Sequence, residues 1–209
     1  MKQSRLENLA DGIFAIVMTL LVLELKLPAL AGETSIKDLP LVIKEALPAL
    51  LAYILSFAVL FTYWRAHNYI VSGFAKGVDI WLTNINAVFL FFVGLVPFTS
   101  YLLGRYSESQ AAIIIYGANI MAIGLSLFWM RSYVLHAPTI ENAKLTHGAN
   151  RRANIRILTP VILAALAMII SFWDTRVSFV LFTTAIAFNI FPASMELTNW
   201  VMDKIRPRH

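Results

Sequence analysis

The sequence predicts an all-α integral membrane protein in which a single domain contains six membrane-spanning helices. Of its 209 residues, 59% are hydrophobic and 14% are charged, whereas soluble domains average roughly 45–50% and about 25%. The charged residues are concentrated between long apolar runs instead of being spread along amphipathic helices. Such a chain has more apolar surface than one water-soluble core can bury, and a lipid bilayer accommodates that surface.

Six apolar segments are long enough to cross a hydrocarbon core of about 30 Å, which requires about 20 helical residues. They are residues 5–27, 42–65, 80–103, 110–135, 155–173 and 177–201. The connecting loops are short, so we expect residues 1–209 to form one compact membrane domain. Gly94 and Pro97 in the third segment and Pro192 in the sixth are candidate kinks or hinges, because proline removes a helical hydrogen bond.

The loop charges predict the orientation, because lysine and arginine are enriched in cytoplasmic loops. With the N-terminus inside, twelve of the 17 basic residues lie on the inner side and five on the outer side. The five outer residues are Lys26, Lys37, Lys44, Arg105 and Arg176. We therefore expect a multi-pass protein of the plasma membrane with both termini in the cytoplasm. This topology, rather than nucleic-acid binding, accounts for the pI near 9.6.

Catalytic chemistry is not indicated by the sequence. None of the four histidines falls in the middle of a predicted span, cysteine is absent, and no HExxH, GxSxG or P-loop pattern occurs. His136, Glu141 and His147 have metal-binding side chains, but their position in a charged loop favours a solvated segment. We expect no enzyme, no catalytic residue, no metal site and no cofactor.

An ion-coupled transporter is the next alternative. Coupled transporters tend to place ionisable side chains near the midplane of the bilayer. The middles of all six predicted spans lack such residues. This composition disfavours a transporter but leaves it open, because backbone carbonyls also bind ions.

The first predicted helix has a narrow apolar stripe. Ile16, Leu20, Leu23 and Leu27 follow the i, i+4, i+7, i+11 spacing, and Thr19 lies on one flank of the stripe. A stripe of this kind on a single helix usually faces lipid or a neighbouring helix. Ionisable residues at both ends of the helix, and Gly12 on the stripe's cytoplasmic extension, count in favour of an aqueous pathway, while packing against lipid or a neighbouring helix stays the alternative.

The same helix resembles the signature of the transmembrane protein 175 family of potassium channels. The family pattern is Arg-x-x-x-Phe-Ser-Asp-Gly followed by Phe-Ala-Ile-x-x-Thr-Leu-Leu-Val-Leu-Glu. The matching residues here are Arg5, Asp11–Gly12, Phe14–Ile16 and Thr19–Glu24. The chain departs from the pattern at Leu9 and Ala10, where the family usually has phenylalanine and serine.

The resemblance implies a homotetramer in which four copies of the first helix line a central potassium-permeable pore. Ile16, Leu20 and Leu23 would form a hydrophobic constriction that acts as the gate, and Thr19 would contribute to a modest preference for K+ over Na+. Gly12 would widen the inner vestibule. Glu24 would lie at the outer mouth, where it either concentrates cations or ends the helix in solvent.

The resemblance also implies a polar network that anchors the pore helix at its cytoplasmic end. Its members would be Arg5 and Asp11 of the first helix, Trp64 and His67 of the second, and Asn84 of the third. Membrane-interface anchoring is an equally good interpretation of Trp64. The expected partners are further copies of the chain and membrane lipids, with K+ as the permeant ion and no nucleic acid. A transporter or a non-conducting scaffold of the same topology remains the alternative.

Overall fold

The structure, a computed structural model, is helical throughout the described residues, which are 2–26, 39–75, 77–137 and 147–190. Its helices, in chain order, are α1 (Gln3–Leu23), α2 (Leu39–Phe74), α3 (Ile80–Gly94), α4 (Val96–Arg105), α5 (Gln110–His136), α6 (His147–Ile170) and α7 (Thr175–Ile190). With α3 and α4 taken together, the described chain has six helical segments in the predicted order.

Within the described residues, four stretches are long and apolar enough to cross a membrane, as expected of a multi-pass protein. They are Gln3–Leu23, Leu39–Gly73, Ile80–Arg105 and Gln110–His136. A shorter apolar helix covers Ile157–Ile170 within α6. The second helix is longer at both ends than the predicted segment 42–65, and α6 begins eight residues before the predicted 155. Residues 191–201 of the sixth predicted segment lie outside the described residues.

The third span is interrupted where Gly94 and Pro97 predicted a kink. Helix α3 ends at Gly94, α4 begins at Val96, and Pro97 lies in the first turn of α4. Proline has no N–H to donate to the carbonyl four residues earlier, so the regular helical ladder stops here. The N–H of Leu95 instead bonds to the carbonyl of Phe92 at 3.2 Å. Pro192, the other candidate kink, lies outside the described residues.

Helix α5 lies in the centre of the bundle and approaches its neighbours at glycines. A Cβ atom at Gly124 would lie 2.2 Å from Cγ2 of Val161 in α6 and 2.7 Å from the hydroxyl of Tyr63 in α2. A Cβ at Gly117 would lie 2.7 Å from Cγ of Met168. These positions need glycine because any side chain would hold the helices apart, and small residues allow transmembrane helices to pack closely.

Buried hydroxyl groups join α2, α4 and α5. The hydroxyl of Ser56 donates to that of Ser100 at 2.9 Å and lies 3.1 Å from the hydroxyl of Tyr116. Nearby, the Asn119 amide donates to the Thr99 hydroxyl at 3.2 Å. Polar side chains within an apolar bundle are stabilised by such mutual bonds, which also fix how the helices meet.

The turn between α2 and α3 is held by Asp79. Its side chain caps α3 by accepting a hydrogen bond from the N–H of Leu82 at 2.8 Å. Its second carboxylate oxygen accepts a bond from the hydroxyl of Tyr133 in α5, at 2.5 Å. One aspartate thus fixes both the start of α3 and its position against α5.

Candidate pore-lining face and its anchoring contacts

Helix α1 has one buried face and one exposed face. The buried face packs into the bundle through Leu6, Ala10, Phe14, Val17 and Leu21. The exposed face contains the residues for which the sequence predicted a role in the pathway, namely Gly12, Ile16, Thr19, Leu20 and Leu23. At 100° per residue the centres of the two faces are about 135° apart. The predicted stripe therefore points away from the rest of its own subunit.

The three residues predicted to form the constriction are strongly exposed in the single subunit. Ile16 is 59% exposed, Leu20 is 42% exposed and Leu23 is 65% exposed. Branched aliphatic side chains with this exposure must face either lipid or further copies of the chain. The fourth residue of the stripe, Leu27, lies outside the described residues.

Thr19 lies between two of these aliphatic residues, and its hydroxyl is bonded to its own helix. The hydroxyl is 2.8 Å from the carbonyl oxygen of Ile16 and 3.0 Å from that of Ala15, with Thr19 as the donor in both cases. The hydroxyl proton is therefore directed back along the helix. The oxygen lone pairs of this exposed side chain remain available to a cation or a water molecule.

Gly12 and Glu24 lie at opposite ends of the exposed face. A Cβ atom at Gly12 would have no neighbouring atom within 4 Å, so the absence of a side chain leaves open space there. Glu24 ends α1, and its backbone N–H bonds to the carbonyl of Leu21 at 3.2 Å. Gly12 therefore leaves room for the predicted vestibule, and Glu24 is half-buried at the end of α1 where the mouth was predicted.

The N-terminal half of α1 is tied to α2 by Asp11 and Trp64. The indole Nε1 of Trp64 donates to Oδ1 of Asp11 at 2.8 Å. The two residues were predicted to belong to one network, and the structure brings them together. Arg5 is exposed on α1, and its part in the network stays a prediction.

His67 connects α2 to α3 by a separate contact. Its Nε2 lies 2.8 Å from Oδ1 of Asn86, and both residues are buried. The imidazole ring stacks on Phe89 with 5.3 Å between ring centroids and 6° between planes. Phe89 in turn meets Phe14 of α1 at 5.9 Å. Ring contacts, one stacked and one tilted, therefore extend from His67 to the buried face of the candidate pore helix.

The predicted partner Asn84 was the wrong asparagine. Asn84 is exposed, whereas Asn86 is 1% exposed and faces His67. Two residues along an α-helix are separated by about 160° around its axis, so only one of the two amides can point at a given neighbour. The sequence carries both asparagines, and the packing of α3 decides which of them is buried.

Sequence reasoning missed a second set of contacts between α1 and α2. The amide Nε2 of Gln3 donates to Oε1 of Glu7 and to the carbonyl of Val71, both at 2.9 Å. The hydroxyl of Ser72 donates to the same Oε1 of Glu7 at 2.8 Å. The signal was present in the spacing: Gln3, Glu7 and Asp11 are four residues apart, so they share one flank of α1.

Among the described residues, no group of three or more His, Asp or Glu side chains is placed to hold a metal ion. Of the loop residues considered as ligands, His136 is exposed and its Nδ1 lies 2.8 Å from the carbonyl of Ser132. Glu141 and the side chain of His147 lie outside the described residues.

Comparison with known proteins shows similarity to one family of ion channels. A family model described as endosomal/lysosomal potassium channel TMEM175 matches residues 5–97, which contain most of α1, all of α2 and α3, and the Asp11–Trp64 and His67–Asn86 contacts. A protein named as a potassium channel from Chryseobacterium sp. (strain P1-3) is 28% identical over 154 residues, covering 73% of this chain and 74% of that protein. These matches support assignment of the chain to the TMEM175 family. This family consists of ion channels and not of enzymes.

Other TMEM175 relatives agree with this assignment. A protein named as a potassium channel from Streptomyces collinus is 30% identical over 135 residues, which are 61% of this chain and 64% of that protein. The chain spans 40% of the length of the rat protein named endosomal/lysosomal proton channel TMEM175, at 23% identity. The crystal structure of a homolog of the lysosomal potassium-selective channel TMEM175 from Chamaesiphon minutus superposes with a TM-score of 0.71 at 24% identity. That superposition covers 90% of this chain and 95% of the homolog, and it shows that the two chains share a fold.

Proposed function

We propose that this TMEM175 protein is a subunit of a potassium-permeable cation channel, and that α1 of four identical subunits surrounds the pore. The observation that carries the proposal is the exposed face of α1. It holds Ile16, Leu20 and Leu23 at 59%, 42% and 65% exposure. The opposite face of the same helix is buried against the bundle. A second support is the bacterial relatives, which are named as potassium channels.

The proposed gate works by excluding water. Ile16 and Leu23 are seven residues apart, which corresponds to about 10 Å along a helix. Four copies of this stripe would form aliphatic rings over that length. A hydrated cation cannot cross a closed apolar ring without losing its water, which costs a large desolvation free energy. Dilation of the rings wets the pathway and allows conduction.

Thr19 is the proposed selectivity residue. Its proton is engaged by the helix backbone, so four copies would present four hydroxyl oxygens to the pathway. Such a layer partly replaces the water around a cation. Because K+ loses its water more easily than Na+, the layer favours K+, and because hydroxyl groups on side chains adapt their positions, the preference is modest.

The proposed orientation places both termini in the cytoplasm of the cell whose plasma membrane holds the protein. Gly12 then lies in the inner vestibule and Glu24 near the outer mouth, while Arg5, Asp11, Trp64 and His67 lie toward the inner side. The excess of basic residues on the inner side supports this orientation.

Flux through purified protein in liposomes tests the proposal. Ile16→Asn and Leu20→Asn should each raise K+ flux by about tenfold, because a polar ring admits water to the constriction. Ile115→Asn is the matched control, since Ile115 of α5 is 42% exposed, as Leu20 is. Unchanged flux in both α1 variants would remove α1 from the pathway.

The same assay separates a channel from the alternatives. A channel conducts K+ down its gradient alone, whereas a coupled transporter needs the gradient of a second ion, and a scaffold shows no flux. Native mass spectrometry of the detergent-solubilised protein should give a tetramer. A monomer would contradict the shared pore.

A further inference from the structure

Glu7 connects the start of α1 to the end of α2. Its Oε1 accepts a hydrogen bond from the hydroxyl of Ser72, which lies 65 residues later, and another from the amide of Gln3. Gln3 also donates to the carbonyl of Val71, 68 residues later. Glu7 and Gln3 lie four and eight residues before Asp11, so they are on the same flank of α1 as the residue that contacts Trp64.

The contact with Val71 lies in the last turn of α2. Val71 and Ser72 belong to the last four residues of α2, where a helix runs out of its own N–H donors. The Gln3 amide supplies a side-chain donor to the carbonyl of Val71. The carboxylate of Glu7, by contrast, lies beside the negative end of the α2 dipole, where the dipole alone disfavours an acid. Its position is therefore explained by the two bonds that it accepts.

Two contacts constrain α1 in a way that one cannot. Apart from the packing of its buried face, α1 would be held against α2 at one point by the Asp11–Trp64 bond, about which the helix could pivot or rotate. A second contact one turn away, at Glu7, opposes both movements. Glu7 precedes Ile16 by nine residues, or about 13.5 Å of helix, so a small tilt at Glu7 displaces the stripe.

We propose that Glu7 is a positioning residue, which holds α1 against α2 through Ser72 and Gln3 and so keeps the exposed stripe of α1 aligned. This inference rests on the proposed function, since alignment of the stripe matters only if α1 lines the pore. Glu7 does not touch the permeant ion in this role. It acts through the orientation of the helix. This role requires an oxygen atom that accepts hydrogen bonds, and it does not require a negative charge.

Four variants test the role in liposome flux assays: Glu7→Ala, Ser72→Ala, the double variant and Glu7→Gln. Glu7→Ala and Ser72→Ala should each raise basal flux by at least about fivefold and lower the K+/Na+ permeability ratio, since one hydrogen bond shifts an equilibrium by about that factor. The double variant should resemble Glu7→Ala, because Glu7→Ala already removes the contact with Ser72. Glu7→Gln retains the acceptor oxygen and should behave as the unmodified protein does.

Ser4→Ala is the control, because Ser4 is an exposed serine of α1 in the same turn as Gln3. It should leave flux unchanged. If Glu7→Gln changes the flux as much as Glu7→Ala does, the charge of Glu7 matters, and the positioning role is wrong. Additive effects of Glu7→Ala and Ser72→Ala would overturn it as well.

Thermal unfolding in detergent separates failure of this inference from failure of the proposed function. The coupling between Glu7 and Ser72 should appear as non-additive shifts in Tm, whatever the protein conducts. If the Tm shifts are non-additive but the protein conducts no K+, the contact between Glu7 and Ser72 exists and the protein is not a channel. The proposed function and the alignment of a pore by Glu7 would then both be contradicted. Normal flux that all four variants leave unchanged would contradict the inference and leave the channel intact.

Discussion

Trp64 donates its indole N–H to the carboxylate of Asp11, and this 2.8 Å bond joins two helices across 53 residues of sequence. The indole ring of Trp64 also lies 5.6 Å from the ring of Phe61. Trp64→Phe therefore removes the donor while keeping an aromatic ring in place. We expect a loss of about 0.5–1 kcal/mol in the free energy of unfolding, because the bond is partly solvated. The measurement is thermal or denaturant unfolding in detergent.

Trp81→Phe is the control for this change, because Trp81 is 63% exposed at the start of α3. It should leave Tm unchanged. Equal shifts in the two variants would mean that loss of an indole, and not loss of the bond to Asp11, explains the result. Asp11→Asn keeps an acceptor oxygen and should be milder than Asp11→Ala.

Asn86→Leu should destabilise the protein by about 1–3 kcal/mol, because it leaves a buried nitrogen of His67 without the amide that it contacts. Asn84→Leu makes the same chemical change two residues away, at an exposed position. It should leave Tm unchanged within about 0.5 kcal/mol. Unfolding of the two variants side by side tests which asparagine supports His67, and a larger effect at Asn84 would contradict the structure.

Gly124→Ala should destabilise the bundle by about 1–3 kcal/mol, since the added methyl group collides with its neighbours in an already packed interior. The collision is with Val161 at 2.2 Å and the hydroxyl of Tyr63 at 2.7 Å. Gly12→Ala meets no atom within 4 Å, so its Tm should stay the same or rise, because alanine favours helix. In the proposed vestibule, however, Gly12→Ala should lower conductance. The prediction fails if Gly12→Ala proves the less stable of the two.

Ser56→Ala should cost more stability than Tyr116→Phe. The serine substitution leaves the fully buried Tyr116 hydroxyl without the group that lies 3.1 Å away. The tyrosine substitution removes that hydroxyl altogether, while Ser56 still donates to Ser100 at 2.9 Å. An orphaned buried hydroxyl costs about 1–3 kcal/mol, whereas removal of the group avoids that penalty. Denaturant unfolding of both variants measures the difference, and the reverse order would contradict the network.

Thr19→Ala should lower the K+/Na+ permeability ratio measured from reversal potentials, because it removes the oxygen that the proposed layer presents. Thr19→Ser keeps that oxygen and should retain the ratio. Serine and threonine hydroxyls both bond readily to the carbonyl three or four residues earlier, so the geometry seen for Thr19 is preserved. An unaltered reversal potential in Thr19→Ala would remove threonine from the explanation of selectivity.

The sequence alone was sufficient to predict a membrane protein, the order of its helices and the interruption of the third span near Pro97. Each of these follows from local properties: the length of apolar runs, the charges between them and the missing N–H of a proline. The stripe on α1 was also visible, because the spacing of Ile16, Leu20 and Leu23 depends on helical periodicity only. That the stripe faces outward from the subunit, however, follows from the burial of the other face of α1.

The tertiary structure decided which polar side chains meet. Asn84 and Asn86 have the same chemistry, and only the rotation of α3 about its axis determines that Asn86 contacts His67. The spacing places Glu7 on the flank of Asp11, but nothing local relates Glu7 to Ser72, which lies 65 positions away. Periodicity defines the faces of a helix, but the packing of several helices together selects the neighbour of each face. For α1, the sequence thus determined the exposed stripe, and the bundle determined the contacts that hold it.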